Sequence, residues 1–388
     1  MPIGYWESEY LLQPADLTIV GAGIVGMSTA LHFKQHRPNA RVRIVERDPL
    51  SSGGTTRNAG FACFGSAGEW LDDLETLGME ELKSLVRHRT EGLAELLHLL
   101  GSESIGLEWT GGWELFGQAP EDEHLSKRVI QALPKINAAV SPILSTTLGP
   151  IHPLLTNHDA AKLDPKRASA LGARTAVSLP WEGMIHTGKM VAAFHKALNQ
   201  AGIERLHGVE VNHLERSAND WRLDTSKGDL ASTQVAICTN GLAKALLPNL
   251  DAQPVPNRVF VGQVQPGVLP LGTYHLDRGY LYMRSLENNR VLFGGGRHWN
   301  LAPPESDGYG SNTPCEWDER LLRMAESWIG PIHNISHRWT GWLGVGKDRR
   351  PLIGQTQPGL HYAVRMGGMG VAIGCGVGKE LAKKLTAE

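Results

Sequence analysis

Three glycines, Gly21, Gly23 and Gly26, stand in a Gly-x-Gly-x-x-Gly pattern directly after the apolar run 17–20, and Glu46 follows about 20 residues later. The first glycine permits a tight strand-to-helix turn, the second lets the backbone approach a pyrophosphate, and the third lets the helix pack on the strands. The N–H groups and dipole at the start of the helix that follows would receive the phosphate charge, and Ile24 and Val25 in the turn are candidate contacts. A carboxylate ending the next strand accepts hydrogen bonds from ribose hydroxyls, which assigns Glu46 that role, with Arg47 beside it. The combination predicts a dinucleotide site, and by itself does not separate NAD from FAD.

Three further clusters can serve such a site. Thr55, Thr56, Arg57, Asn58, Ala59 and Gly60 form a loop of small residues and hydroxyls suited to a second phosphate and the edge of a ring system. Thr239, Asn240 and Gly241 close a strand at 234–237 with turn chemistry. Near the end, 367–378 is glycine-dense, and Gly368, Met369, Gly370 and Val371 lead toward a helix whose first N–H groups can face a flat anionic ligand. It does not match the phosphate loop GxxxxGK[ST]. No second GxGxxG in a strand–helix context is found, so the electrons are expected from a substrate bound at the cofactor itself, not from a second nucleotide.

These residues need elements to hold them. The runs 17–20 and 42–45 read as strands and 27–35 as the helix between them, a βαβ unit. The pattern predicts a helical stretch over 70–100, a strand pair around Gly111 and Gly112, and helices over 121–140, 187–201 and 316–328. Strands are expected at 208–214, 221–225, 234–237 and 359–364, and an antiparallel sheet over 255–296. Nucleotide-domain signals occur at both ends and in the middle, so the domains are expected to interleave.

With a net charge of −2 over 388 residues, no strong field argues for nucleic acid or an anionic membrane. No apolar run approaches the ~20 residues that span a bilayer, and the first residues lack a basic, then apolar, signal pattern. Cys63, Cys238, Cys315 and Cys375 are widely spaced, which fits a reducing compartment, and neither they nor the 16 histidines show ligand spacing. A cytoplasmic protein without a metal centre is expected.

Taken together, the clusters resemble the D-amino-acid oxidase-like family of FAD-dependent amine and amino-acid oxidoreductases, which includes glycine, sarcosine and γ-glutamylputrescine oxidases. The 51–61 segment is similar to the family's stretch beneath the flavin. His207 to Val211 resembles the strand that meets adenine, so Val211 is a candidate contact, and Thr239–Gly241 resembles the family's ATNG turn. The 348–354 and 367–378 segments resemble its late loops. The resemblance implies an α/β fold in which a Rossmann-type FAD-binding domain (1–90, 150–250 and 335–388) interleaves with an α+β substrate domain (91–149 and 251–334) built on an antiparallel sheet. It also implies oxidation of a small amine or amino acid to an imine by hydride transfer to flavin N5, with oxygen or a quinone as final acceptor. Arg284 resembles the arginine that grips a substrate carboxylate, Arg297 is a second candidate, and Tyr282 lines the same wall. Departures matter too. The lysines of sarcosine-oxidase-like members have no counterpart near Ala372 or in 290–296. No cysteine lies in 341–346, and Asn58 falls near the place of a flavin-linking histidine, so noncovalent FAD is implied. Arg349 or Arg350 replaces a glycine, adding positive charge near the flavin. A flavin dehydrogenase of 2-hydroxy acids and a non-catalytic or tRNA-modifying flavin protein stay open as alternatives.

Overall fold

The protein is described here from a computed structural model that covers residues 4–117, 119–155, 157–217, 220–301 and 314–387. Two eight-stranded sheets organise these residues. The first runs Leu352–Gln357, Leu360–Val364, Leu230–Ile237, Ala15–Val20, Val42–Glu46, Glu204–His207, with Trp221–Thr225 and Val211–Arg216 continuing from Leu230–Ile237. Its centre is parallel, Leu17 lying opposite Val42 on one side and Gln234 on the other. A parallel centre is covered on both faces, so its strands are buried throughout rather than alternately. Arg43 therefore does not face water as its alternation with apolar residues suggested. It is fully buried, and its Nη2 pairs with Glu204 at 2.8 Å.

The Ile24–His36 helix packs against the terminal Gly370–Thr386 helix, which in turn packs on Met79–Leu100. The terminal helix starts earlier than the glycine density implied, and its inner glycines are contact surface rather than loop. A Cβ at Gly374 would lie 2.7 Å from Ile24 Cγ2, and one at Gly378 would lie 2.7 Å from Ser28 Cβ. Side chains there would force the helices apart. The 70–100 stretch is two helices, Ala67–Thr76 and Met79–Leu100, parted at Gly78, whose φ of 88° no helix accommodates. The helix expected over 121–140 runs from Pro120 to Leu148, continuing past Pro134 and Pro142.

The second sheet runs His333–Val345, Gln253–Gln263, Arg290–Gly295, Leu281–Leu286, Thr273–Leu276, Gly112–Phe116, Thr175–Leu179, Lys162–Leu163. It is antiparallel except where Thr273–Leu276 meets Gly112–Phe116 in parallel. Leu281 and Met283 point into the core beneath the Glu316–Ile329 helix, which places Tyr282 and Arg284 on the other face. Instead of a strand pair at 107–116 there is one strand, and Glu108 bridges to Met184. By sheet membership, Lys162–Leu163, Thr175–Leu179 and His333–Val345 go with the second sheet, although the boundaries 150–250 and 335–388 had placed them with the first. Among the described residues, no helix is long and apolar enough to cross a membrane.

Candidate active site

A cavity of about 380 Å³ begins at the carboxyl ends of the parallel strands and continues onto the second sheet. At its first end the chain turns at Gly21 (φ 107°), where a Cβ would lie 2.9 Å from the Cys238 carbonyl oxygen. The Glu46 carboxylate is aimed by two backbone donors, Ala22 N–H at 2.9 Å and Asp48 N–H at 3.0 Å. Gly23 caps the first helix, and Ile24 N–H donates to Thr55 Oγ1 at 2.9 Å, which ties the 51–60 segment to the glycine turn.

The expected loop at 51–60 contains a short helix, Gly54–Arg57. Asn58 shapes its exit, with Nδ2 donating to the Thr55 carbonyl at 2.7 Å and Oδ1 accepting from Gly60 N–H at 2.7 Å. Asn240 does the same for the late loop, its Oδ1 accepting from the N–H groups of Arg365 and Met366.

Of the residues expected at the cofactor, Gly21, Gly23, Ile24, Val25, Glu46, Arg47, Thr55, Arg57, Asn58, Ala59, Val211, Thr239, Asn240, Gly241, Gly368, Met369, Gly370 and Val371 line this cavity. Gly26, Thr56 and Gly60 do not. Gly26 faces the Gly21 carbonyl, where a Cβ would collide, and Thr56 Oγ1 donates to the Ser51 carbonyl at 3.1 Å. At Gly60 (φ 74°) a Cβ would lie 2.5 Å from the Ile185 carbonyl oxygen.

The cradle fits an extended dinucleotide by its unmet polar groups. Ser51 Oγ and Thr239 Oγ1 are buried on the cavity wall without a protein partner. The first N–H groups of both glycine-led helices are likewise without intrahelical acceptors. FAD, with phosphates and a ring system rich in acceptors, suits that set. Ser51 was legible only as the start of the 51–61 segment, not as a contact of its own. Its hydroxyl in a left-handed residue (φ 54°) is the signal, and that signal exists only in three dimensions.

At the far end Tyr282 and Arg297 line the cavity as expected, and Phe61, Cys63, Glu69, Asn257 and His275 join them. Arg284 does not reach it. Its Nη1 donates to the carbonyls of Ala59 (2.9 Å), Gly60 (3.1 Å) and Ile185 (2.9 Å), and burial lowers its pKa to about 10. The arginine read as a carboxylate grip thus clamps the cradle from behind. Arg349 and Arg350 are also drawn away from the cavity, Arg349 to Asp72 and to Asp73, Arg350 to Glu81 at 2.7 Å.

The far end is held by rings and buried acids. Phe61 meets His275 edge-on at 5.3 Å and Tyr282 at 5.8 Å, centroid to centroid. Asn257 Nδ2 donates to Tyr282 Oη at 3.1 Å, and burial pushes the phenol's pKa upward. His275 Nε2 lies 2.9 Å from Glu182 Oε2. Burial depresses the imidazole, but the Glu182 charge and hydrogen bond outweigh it and carry the pKa up to about 9. Burial lifts Glu114 to about 7, against the opposing hydrogen bonds from Gly68 N–H and Ser66 Oγ. Cys63, Glu182 and His275 bring one sulfur, oxygen or nitrogen atom each within 4.8 Å of one another. Of these only His275 and Glu182 are hydrogen-bonded to each other, and burial raises the Cys63 thiol pKa well above its usual value, which keeps it a poor metal ligand. His275 could have been found from the hairpin: residues 277–280 form its turn, and the register sets His275 opposite Tyr282.

The sequence model of the DAO family, described as "FAD dependent oxidoreductase", matches residues 16–384. The probable oxidoreductase OrdL of Rhizobium meliloti (strain 1021) is 22% identical over 95% of this chain and 82% of its own. Gamma-glutamylputrescine oxidoreductase of Escherichia coli (strain K12) is 23% identical over 96% and 83%. The crystal structure of glycine oxidase from Geobacillus kaustophilus superposes with a TM-score of 0.69 at 20% identity, covering 97% of this chain and 95% of that one. Nearly the whole length takes part in these matches, the glycine turn and the late loop alike, and the chain belongs to the family of FAD-dependent oxidoreductases.

Proposed function

We propose that this oxidoreductase takes its electrons from a small amine or amino acid, releasing an imine that water hydrolyses. The observation that carries the reading is the far end of the cavity. It is continuous with the dinucleotide cradle, and its lining includes an acceptor, Glu69, and donors, Tyr282 and Arg297. Such a set suits a small molecule that bears both a nitrogen and an acceptor group. The names of two relatives, glycine oxidase and gamma-glutamylputrescine oxidoreductase, support it.

FAD, held noncovalently, supplies the two-electron acceptor for the C–H bond beside the amine. The chain's own residues bind and orient. Ser51 and Thr239 present hydroxyls to the cofactor, Glu46 takes the ribose, and Phe61 and Tyr282 wall the substrate from water. Arg297, stacked 4.4 Å over the Tyr280 ring, keeps its charge at the same end. Oxygen or a quinone then takes the electrons. We place the enzyme in the cytoplasm, in keeping with four free cysteines.

The test is anaerobic mixing of the yellow protein with separate panels of primary amines, secondary amines, amino acids and 2-hydroxy acids. Loss of the oxidised flavin spectrum with an amine or amino acid is the expected result. Bleaching by hydroxy acids alone would reassign the enzyme as a hydroxy-acid dehydrogenase. Bleaching by nothing in the panels would leave a flavin-binding protein without this activity.

A further inference from the structure

His275 is a buried histidine with one nitrogen committed and one open. Its Nε2 is taken by Glu182, at 2.9 Å from Oε2 and 3.1 Å from Oε1. Glu182 is held in turn by Thr273 Oγ1, which donates to Oε2 at 2.9 Å. Among the described residues no protein group takes Nδ1, and that atom is not among the buried polar atoms left without a partner. The ring lines the cavity, whereas Glu182 does not. A ligand therefore meets the imidazole and not the carboxylate that charges it. Phe61, edge-on at 5.3 Å, fixes the ring's plane, and Tyr282 stands directly across the strand pair. Because Asn257 donates to Tyr282 Oη, the phenol's own proton is free to point at the same ligand.

We propose that His275, kept as an imidazolium by Glu182, is a specificity-determining residue that donates its Nδ1–H to a carboxylate on the substrate. This rests on the amine-oxidising reading above and deepens it: substrates bearing a carboxylate are preferred over plain amines of the same size. With Nε2–H directed to Glu182, the charged ring has Nδ1–H as its one remaining donor, and a charge-assisted hydrogen bond to a carboxylate is about twice as strong as a neutral one. Arg284, the residue type otherwise suited to this task, does not line the cavity, its Nη1 being committed to three backbone carbonyls. The ionisable groups around the ring are Glu182, Glu69, Glu114 and Cys63. The glutamates favour its charge, and the thiol stays protonated, so the imidazolium persists up to about pH 9.

The experiment uses the FAD-loaded protein and needs no turnover, which separates its failure from failure of the amine reading. Acetate, propionate and benzoate, each beside its amide, are titrated while perturbation of the flavin spectrum is followed. The wild type is expected to bind at least one carboxylate about 10-fold or more tighter than its amide at pH 7.5, with carboxylate affinity falling about 10-fold per pH unit above about 9 and amide affinity flat. His275→Gln is expected to cost about 10-fold or more for the carboxylate and less than about 2-fold for the amide, one charge-assisted bond being lost. Glu182→Gln is expected to move the midpoint down to the ordinary imidazole value of about 6.5 or below, burial then losing its main opponent. A wild type that prefers no carboxylate over its amide overturns the proposal. So does a pH profile flat through 10, or a His275→Gln protein that retains FAD and weakens both ligands equally. If a variant loses FAD, the wild-type pH profile still decides.

Discussion

The two ends of the cavity are built from different materials. The cofactor end is mainly backbone and small residues drawn from short stretches: Gly21, Gly23, the 51–60 segment, Asn240, Gly241 and the 367–371 loop. The substrate end is large side chains gathered from residues 61 to 297, where burial pushes the Tyr282 phenol upward and Glu182 lifts His275 to about 9 against burial. A dinucleotide demands close approach, which glycine and N–H groups provide locally. A small substrate demands placed charge, which only a folded, water-poor wall can hold. The first end should therefore fail by steric change and the second by electrostatic change.

The largest expected effect is steric and lies outside the cavity. In Gly374→Val a Cβ would sit 2.7 Å from Ile24 Cγ2, on the helix that opens at the phosphate-binding turn. Overpacking typically costs about 1–3 kcal/mol and at a contact this close lies at the upper end, and we expect loss of FAD retention after gel filtration together with a lower Tm. A variant that keeps FAD and its Tm would mean the helix contact does not position the cradle. Next is Arg284→Met. It takes the guanidinium donor from the carbonyls of Ala59 and Ile185, and from that of Gly60, which keeps the Ile185 N–H at 2.8 Å, a loss of about 2–3 kcal/mol. Tm and FAD affinity should fall together, while carboxylate binding by whatever protein remains loaded stays near wild type. If carboxylate binding is lost at unchanged Tm, Arg284 belongs to the substrate end after all.

That division explains what could be read in advance. The βαβ unit, the glycine turn, Glu46 and the Thr239–Gly241 turn were legible because their chemistry and their spacing lie in one short stretch. The terminal glycines misled about location. Glycine density signals close approach without naming the partner, and at Gly374 and Gly378 the partner is a helix. Arg284 misled because a guanidinium suits backbone carbonyls as well as a carboxylate, and only the fold decides between them. Glu69, Glu182 and His275 were not read at all. No spacing links residues 69, 182 and 275 until Gly112–Phe116 lies beside Thr273–Leu276 and the hairpin turns at 277–280. Arg43 shows the same limit inside a correctly read strand, since its burial follows from the pairing of its neighbours.

The smallest effect tests whether buried charge at the substrate end carries a cost. Glu114 is fully buried beside the N-terminus of the Ala67–Thr76 helix, with a pKa raised from 4.5 to about 7. Unfolded, the carboxyl loses its proton near 4.5; folded, it keeps it until about 7. Between those values the native state binds more protons than the unfolded one, so raising the pH favours unfolding. The stability is fully present below 4.5, is lost as pH climbs through 7, and is level beyond. Glu114→Gln cannot titrate. Its amide still accepts from one of Ser66 Oγ and Gly68 N–H but sets a donor against the other, which offsets part of the gain. We therefore expect the variant to be less stable than wild type at pH 4.5 and to gain on it by about 3 kcal/mol by pH 7.5, the amide mismatch being the same at every pH, so that the net difference at either end is about 1–2 kcal/mol. The reading is the Tm difference across that range. His275 titrates at about 9 in the wild type, above this range, and Glu114 is a minor one among the charges that raise it, so its own contribution nearly cancels. A difference that stays constant with pH would mean Glu114 is ionised in the fold throughout, with the Ser66 and Gly68 donors sufficient to hold its charge.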